Sequence, residues 1–530
     1  MSREGVLRLG LLAAAVLLAA HALSLGFVSD DAFLSFRYAR NLLEGHGLVY
    51  NPGERVEGYT DFLWTVLLAG VGALLPGADM PAIARTLGLL FGAATIVLVG
   101  LLGREVSPRR GAWLLVAPAL IAADTAFAVW TTSGLESPMF SFLVVAAAWS
   151  WIRWTRCRAR PEWAPLLLGL ATLARPDGAL LFAVTAASEL AWRRERPLTI
   201  VAWAWPFLAL VLPWFLWRWS YYGWPLPNSF YAKVGSPEDQ WKRGARYLLG
   251  YLRAKAWFLA PLPLALLARR RPEPWAAYVA ALGVAYAAFV VAVGGDGLFH
   301  YRFCAHLIPL AYLLVQEGLG AALSRAPRAV AATAAVLASL LGIGASARAS
   351  IDTLWFPERV RWEQRHSEVW FPGRPGEHGY RIFEPYFVDR LRIAAEWLEA
   401  NARPGAVVAS TPAGAIGYYM RHPLIDMLGL NDEHIAHREV PDMGRQRAGH
   451  EKGDGRYVLS RKPEYILLGN VAVLARPLSE EDMPSKLVRR SEEEIWADPG
   501  FHRDYELVTV RLADSGLFQW FTFWRRRGVR

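Results

Sequence analysis

Apolar stretches of helix length recur from the first residues onward, separated by short turns rich in arginine. They cover 6–27, 83–103, 113–130, 139–154, 163–174, 178–192, 198–219, 256–268, 275–294, 303–323 and 329–347. Runs of this length and apolarity predict membrane helices, although several fall short of the ~20 residues that cross a bilayer. Short spans are tolerable where a helix is buried in protein or lines a cavity. The first run ends near Ala20-His21-Ala22, a pattern that a cleaved signal peptide also shows. The many later spans favour a retained helix.

Lys and Arg in the short connections set the orientation. Arg104/Arg109/Arg110, Arg153/Arg156/Arg158/Arg160, Arg193/Arg194/Arg196, Arg269/Arg270/Arg271 and Arg325/Arg328 all fall on one side, cytoplasmic, provided that 62–75 does not cross. That short segment reads as an in-plane or re-entrant helix. Eleven spans result, with the N-terminus cytoplasmic and the C-terminus outside. The connection 220–255 breaks the rule. It lies outside, yet carries Lys233, Lys242, Arg243, Arg246, Arg253 and Lys255. Either the topology is wrong there or the loop is a site for an anionic ligand; the fit of every other loop favours the second.

From 351 the character changes to charge, Gly and Pro with no span-length run. A helix is expected at 388–402 and short buried strands at 406–410 and 465–468. The chain therefore reads as a polytopic α-helical membrane domain, 1–350, followed by an extracytoplasmic α/β domain, 351–530. Its location is a multi-pass membrane protein of a bacterial-type inner membrane.

Composition agrees. Hydrophobic residues make up 54 % and charged residues 20 %, with 24 Trp, a residue that gathers at membrane interfaces. Mean hydropathy is +0.21. Disorder is excluded, and so is a disulfide scaffold: the only two cysteines are Cys157, in a cytoplasmic loop, and Cys304, in a span. The net charge of +10 is scattered in short clusters, not gathered in the single patch of a nucleic-acid reader.

No motif of a soluble enzyme is present. Instead, ionisable clusters map to the external face. Asp30-Asp31 follows the first span and opens a polar loop, 29–61, that holds Arg37, Tyr38, Glu57 and Tyr59 among glycine and proline turns. Glu136 stands in Ser133-Gly134-Leu135-Glu136-Ser137-Pro138, where a helix cap is the plainer role. Arg175-Pro176-Asp177-Gly178 breaks two short apolar halves; charges at such a break are functional or a structural ion pair. Asn228 to Lys233 lies in the basic loop. Gly294-Gly295-Asp296-Gly297 precedes His300, Tyr301 and Arg302.

This ordered series, together with Glu54-Arg55-Val56-Glu57-Gly58-Tyr59-Thr60, Ala413 to Tyr419 and Ile425 to Leu430, resembles the GT-C membrane glycosyltransferases. The likeness is greatest to the group of the mycobacterial terminal β-(1→2)-arabinofuranosyltransferase. The resemblance implies a polyprenyl-phosphate sugar donor, a glycan or glycolipid acceptor and an inverting transfer at the outer face. It also implies a catalytic Asp in the first external loop, Asp30 or Asp31, with Asp30 leading. A hydroxyl acceptor needs a base and a leaving phosphate needs positive charge or a metal. Lys233, His300, Arg302 and Arg175 are the expected phosphate ligands. Arg37, Tyr38, Glu57, Tyr59, Glu136, Asp177, Asn228 and Asp296 are the expected substrate contacts. Arg37 is expected to hold one aspartate ionised. A divalent metal, if one binds, would take Asp30 and Glu57. Arabinofuranose is the leading sugar. A polyprenyl-phosphate mannosyltransferase, a protein O-glycosyltransferase and a lipid-linked glycan transporter are the alternatives. A transporter places its charges at the midplane between repeats, and no repeat is visible here.

Overall fold

The computed structural model describes residues 2–323, except 27, 158–161, 194–196, 236, 256–258, 260–272 and 299. It also describes 333, and 377–529 except 442, 446, 470, 475 and 513–517. Apart from single residues, the predicted spans 256–268 and 329–347 lie outside this set, as does the expected domain boundary at 350.

Four described helices are long and apolar enough to cross a membrane: Glu4–Ser24 within α1 (Arg3–Ser24), α4 (Met80–Val106), Thr199–Tyr222 within α10 (Pro197–Tyr222), and α13 (Pro274–Ala292). A fifth forms if Gly111–Ala123 and Thr125–Thr132 are joined across a 61° bend at Asp124. Asp124 caps the second half by accepting the Phe127 N–H at 3.0 Å, which is why the helix can restart there. The helix α3 (Phe62–Leu74) has 13 residues, about 20 Å of rise against a hydrocarbon core of about 30 Å. It falls short of that thickness on its own. Trp64 anchors it, fully buried, with its indole N–H donating to the Gly134 carbonyl at 3.0 Å.

Among the described residues, Arg8, Arg104, Arg153 and Arg156 share one end of the bundle. Glu4 pairs with Arg8 and Arg104, Arg153 with Glu105, and Arg156 with Glu273, joining the start of α1 to the ends of α4 and α7 (Ser137–Cys157) and the start of α13. Such half-exposed pairs add little stability. Their value here is to show that basic residues collect away from the clusters described below.

At the other end, α2 (Asp30–Leu43) is amphipathic and buries Phe33, Phe36 and Tyr38. The rings of Phe33 and Phe36 pack against Tyr418 and Tyr419 of the C-terminal part at 5.5–6.0 Å. One apolar core therefore runs from the bundle through α2 into the C-terminal domain.

That domain is a mixed sheet flanked by helices. Strand β1 (Val408–Ser410) lies parallel between β2 (Leu424–Asp426) and β3 (Tyr465–Leu467). The long β6 (Trp520–Arg526) runs antiparallel, taking β4 (Ala472–Leu474) and β3 along one edge and β5 (Tyr505–Arg511) along the other. The central strands are buried on both faces, which is why they read as continuous apolar runs. The expected strands at 406–410 and 465–468 are β1 and β3. The expected helix at 388–402 is the second half of Glu377–Asn401.

Candidate active site

Asp30 and Asp31 do not end the first span; they begin α2, whose N-terminus favours carboxylates. Ser29 fixes that start by donating its N–H to the Ser133 carbonyl at 2.9 Å. Asp30 Oδ1 accepts the backbone N–H of Ala415 at 2.7 Å, tying α2 to the C-terminal domain. The approach is close enough that a Cβ on Gly414 would lie 2.0 Å from the Asp30 carbonyl oxygen. Asp31 stands close enough to the buried Arg302 for their charges to interact.

Both aspartates line a cleft whose opposite wall comes from the C-terminal domain: Arg447, His450 and Arg489. Burial, then Arg447, Arg489 and Lys233, push the His450 imidazole well below its ordinary range. Burial and Arg447 bring Arg489 down to about 10. Arg447 donates to the Gly297 carbonyl at 3.0 Å, joining this wall to the Gly294–Gly297 turn. A Cβ on Gly449 would meet the Lys233 side chain at 3.1 Å. Cations thus face carboxylates across one cleft.

A second group lies buried beneath it. Arg175 donates to Glu136 at 2.5 Å and to Asp177 at 3.0 Å. Asp177 accepts the Tyr286 hydroxyl at 2.5 Å, and that hydroxyl lies 2.8 Å from His306 Nδ1. Arg302 is paired with Asp296 at 2.7 Å and lies over Trp130. His300 and Tyr301 both adopt left-handed backbone (φ 57° and 50°), a conformation that non-glycine residues rarely hold. It turns the chain between Asp296 and Arg302, and Trp130 holds it by donating to the His300 carbonyl at 3.2 Å.

Several expected partners are engaged elsewhere. Arg37 does not hold an aspartate. It is 1 % exposed and donates to the carbonyls of Tyr50, Gly417 and His422 and to Asn51, strapping the polar loop to the C-terminal domain. Glu57 does not reach Asp30; both its oxygens accept from Arg218. Among the described residues no group of three or more His, Cys, Asp or Glu is placed to hold a metal. Tyr38 and Tyr59 are buried ring to ring at 4.5 Å, with Tyr38 donating to the Val56 carbonyl and Tyr59 meeting Tyr222. Asn228 donates to the carbonyls of Gly429, Leu430 and Asp432. These contacts tie the polar loop and Asn228 to α10 and to the C-terminal domain.

The basic loop 220–255 is also not one anion site. Lys242 pairs with Glu238, Arg243 with Glu451, and Lys255 with the buried Asp124, while Arg246 and Arg253 point to the surface. Only Lys233 joins the cleft's cations. Sequence reading missed Arg447, His450 and Arg489. Their segments, Gly444 to His450 and Val488-Arg489-Arg490, are short and aperiodic, and only the clustering of basic residues marked them.

Fold and site together define a polytopic membrane protein whose charged cleft lies between one end of a helix bundle and a sheet domain. This is the GT-C architecture that the sequence motifs implied. The chain aligns along 100 % of its length with 99 % of ArnT from Cupriavidus metallidurans, solved bound to undecaprenyl phosphate, at a TM-score of 0.52 and 12 % identity. It aligns along 99 % of its length with 42 % of the mycobacterial arabinofuranosyltransferase AftD, at a TM-score of 0.51 and 16 % identity. In sequence it is 32 % identical over 269 residues to the terminal beta-(1->2)-arabinofuranosyltransferase of Mycobacterium tuberculosis, covering 47 % of this chain and 42 % of that one. It is 26 % identical over 334 residues to the protein of the same name from Corynebacterium glutamicum, covering 54 % and 47 %. The chain thus spans less than half the length of the curated relatives it matches. Residues 381–525 match a family model described as a domain of unknown function, DUF8728.

Proposed function

We propose that this protein is a glycosyltransferase that moves a sugar, arabinofuranose by similarity, from a polyprenyl-phosphate donor to a hydroxyl of a glycan acceptor. The reaction takes place at the outer face of a bacterial-type inner membrane, with the N-terminus cytoplasmic and residues 351–530 outside as one domain. The observation that carries this reading is the cleft itself, with Asp30 and Asp31 on one wall and Arg447, His450 and Arg489 on the other. The acceptor oxygen attacks the anomeric carbon and gives its proton to a carboxylate. The bond from that carbon to the phosphate oxygen breaks, and the lipid phosphate leaves with the electron pair. Positive charge fixed in advance lowers the barrier to that departure. Arg447 and Arg489 supply it, with Lys233 and Arg302 behind them.

Asp31 takes the role of base. Asp30 already accepts the Ala415 N–H and serves as the positioning residue, which reverses the order expected from sequence. The test is turnover and donor binding of the purified protein with synthetic polyprenyl-phosphate sugars. Asp31→Asn should retain donor and turn over at least ~100-fold more slowly, the low end of general-base effects. Asp30→Asn should lose less. Full activity of both variants refutes the assignment, and transfer from a mannosyl donor alone would change the sugar.

A further inference from the structure

A second cavity is lined in part by Asn431 and Asp432, close in the chain to Leu428 and Leu430, which line the aspartate cleft. Its volume is about 780 Å³, within the ~300–1,000 Å³ of small-molecule sites, and it shares no lining residue with the aspartate cleft. One wall is aromatic: His437 packs on Trp224 at 4.1 Å and on Tyr231 at 4.2 Å, these two rings meet edge to face at 5.6 Å, and Trp224 remains 38 % exposed. A second platform faces it, where His434 stacks on Tyr457 at 4.0 Å and 15°. Between them stand planar polar groups from Glu54, Asn431, Asp432, Arg438, Asp454 and Arg461.

Most of the charges here are already engaged, and Arg55 lies over the Tyr221 ring at 4.6 Å. Arg461 meets Glu54 at 3.2 Å, Arg438 meets Glu494 at 3.0 Å, His434 meets Asp454 at 3.1 Å, and Asp432 accepts the Tyr457 hydroxyl at 3.0 Å. An anion therefore gains little in this cleft, unlike the wall of Arg447 and Arg489. Exposed ring faces with a fringe of paired, planar hydrogen-bonding groups suit a neutral, hydroxyl-rich ligand whose C–H faces lie on the rings. His437 Nε2 is buried without a hydrogen-bond partner among the described residues, which leaves a polar atom at the aromatic wall for a ligand to satisfy.

We propose that this cleft is a second carbohydrate site that binds the distal residues of an extended glycan acceptor. The proposal rests on the transferase reading above. Leu430 lines the aspartate cleft and its neighbour Asn431 lines this one, so a glycan draped over the segment 426–432 reaches both. Asp426 holds that segment rigid by accepting from the Leu428 and Asn431 N–H groups.

The experiment uses the full chain in nanodiscs and two pairs of probes, a disaccharide and a hexasaccharide of arabinofuranose and of mannose. Binding is read by saturation-transfer NMR and transfer by product formation. The hexasaccharide should bind the parent protein ~10-fold tighter than the disaccharide, the scale set by aromatic anchors. Trp224→Ala and Tyr457→Ala should remove that advantage and raise the hexasaccharide KM without changing kcat. Trp224→Phe should keep most of it, and Asp31→Asn all of it. If Trp224→Ala fails to fold, Tyr457→Ala, on the half-exposed opposite wall, carries the test. Equal hexasaccharide affinity in parent and variants, or none in the parent, overturns the proposal. Binding that depends on Trp224 in a protein that transfers no sugar would keep this site and remove the transferase reading.

Discussion

Removing the Arg37 side chain should undock the C-terminal domain locally while leaving the helix bundle intact. The guanidinium is 1 % exposed and uses four N–H bonds: to Tyr50 at 2.7 Å, Gly417 at 2.6 Å, Asn51 at 2.9 Å and His422 at 3.1 Å. Its ring neighbour is Tyr50, with the guanidinium carbon 4.2 Å from the ring centroid. None of the four acceptors is a carboxylate, so the bonds are charge-assisted from one side only, at roughly 1.5–3 kcal/mol each before the cost of burying the cation. Arg37→Ala leaves the buried Gly417 and His422 carbonyls without their guanidinium donor, while the Tyr50 carbonyl keeps Asn41 and Asn51 Oδ1 keeps the Leu424 N–H, and breaking such a network typically costs about 3–5 kcal/mol. Two acceptors lie on the polar loop and two on 417–422, so the loss falls on the contact between them. Amide exchange across 413–424 should accelerate by ~100-fold or more, with exchange in α4 and α7 unchanged. Arg37→Lys should behave nearly as badly, because one ammonium cannot reproduce the planar fork. Exchange within about threefold of the parent in Arg37→Ala would mean that the strap does not hold the domain.

Gly414→Ala places a methyl 2.0 Å from the Asp30 carbonyl, so it should shift α2 against the domain and cut turnover while donor binding to the cation wall persists; parent-like turnover would contradict this. Arg175→Gln strands Glu136 and Asp177 as unpaired buried carboxylates and should lower stability by about 3–5 kcal/mol, read by thermal unfolding in detergent, with Arg175→Gln/Glu136→Gln partly restored. His450 refuses a proton that the unfolded chain accepts near pH 6.5, so stability should fall as pH drops through that value and level off below the depressed folded pKa. Asp426, raised to about 6 by burial, works in the opposite sense between its two pKa values, so the test is the comparison with His450→Gln, whose melting temperature should fall less between pH 7.5 and 5.

The sequence alone determined the bundle, because bilayer and core demand long apolar runs and charge segregates at their ends. It located the short helix 62–74, the strands β1 and β3 and the ionisable clusters of the helix bundle and its external loops. Side-chain partnership was another matter. Arg37 and Glu57 looked like helpers of Asp30 because they are near it in the chain, yet their partners are Gly417, 380 residues on, and Arg218, 161 residues on. The cation wall was illegible for the same reason. Gly444 to His450 has no periodicity, and nothing local says that it folds over α2. The proposed order of Asp31 over Asp30 rests on a single amide of Ala415 in the C-terminal domain. Local periodicity is written by solvent contrast, residue by residue. Which charges meet is decided only when distant backbone segments pack and leave each buried polar group to find its partner.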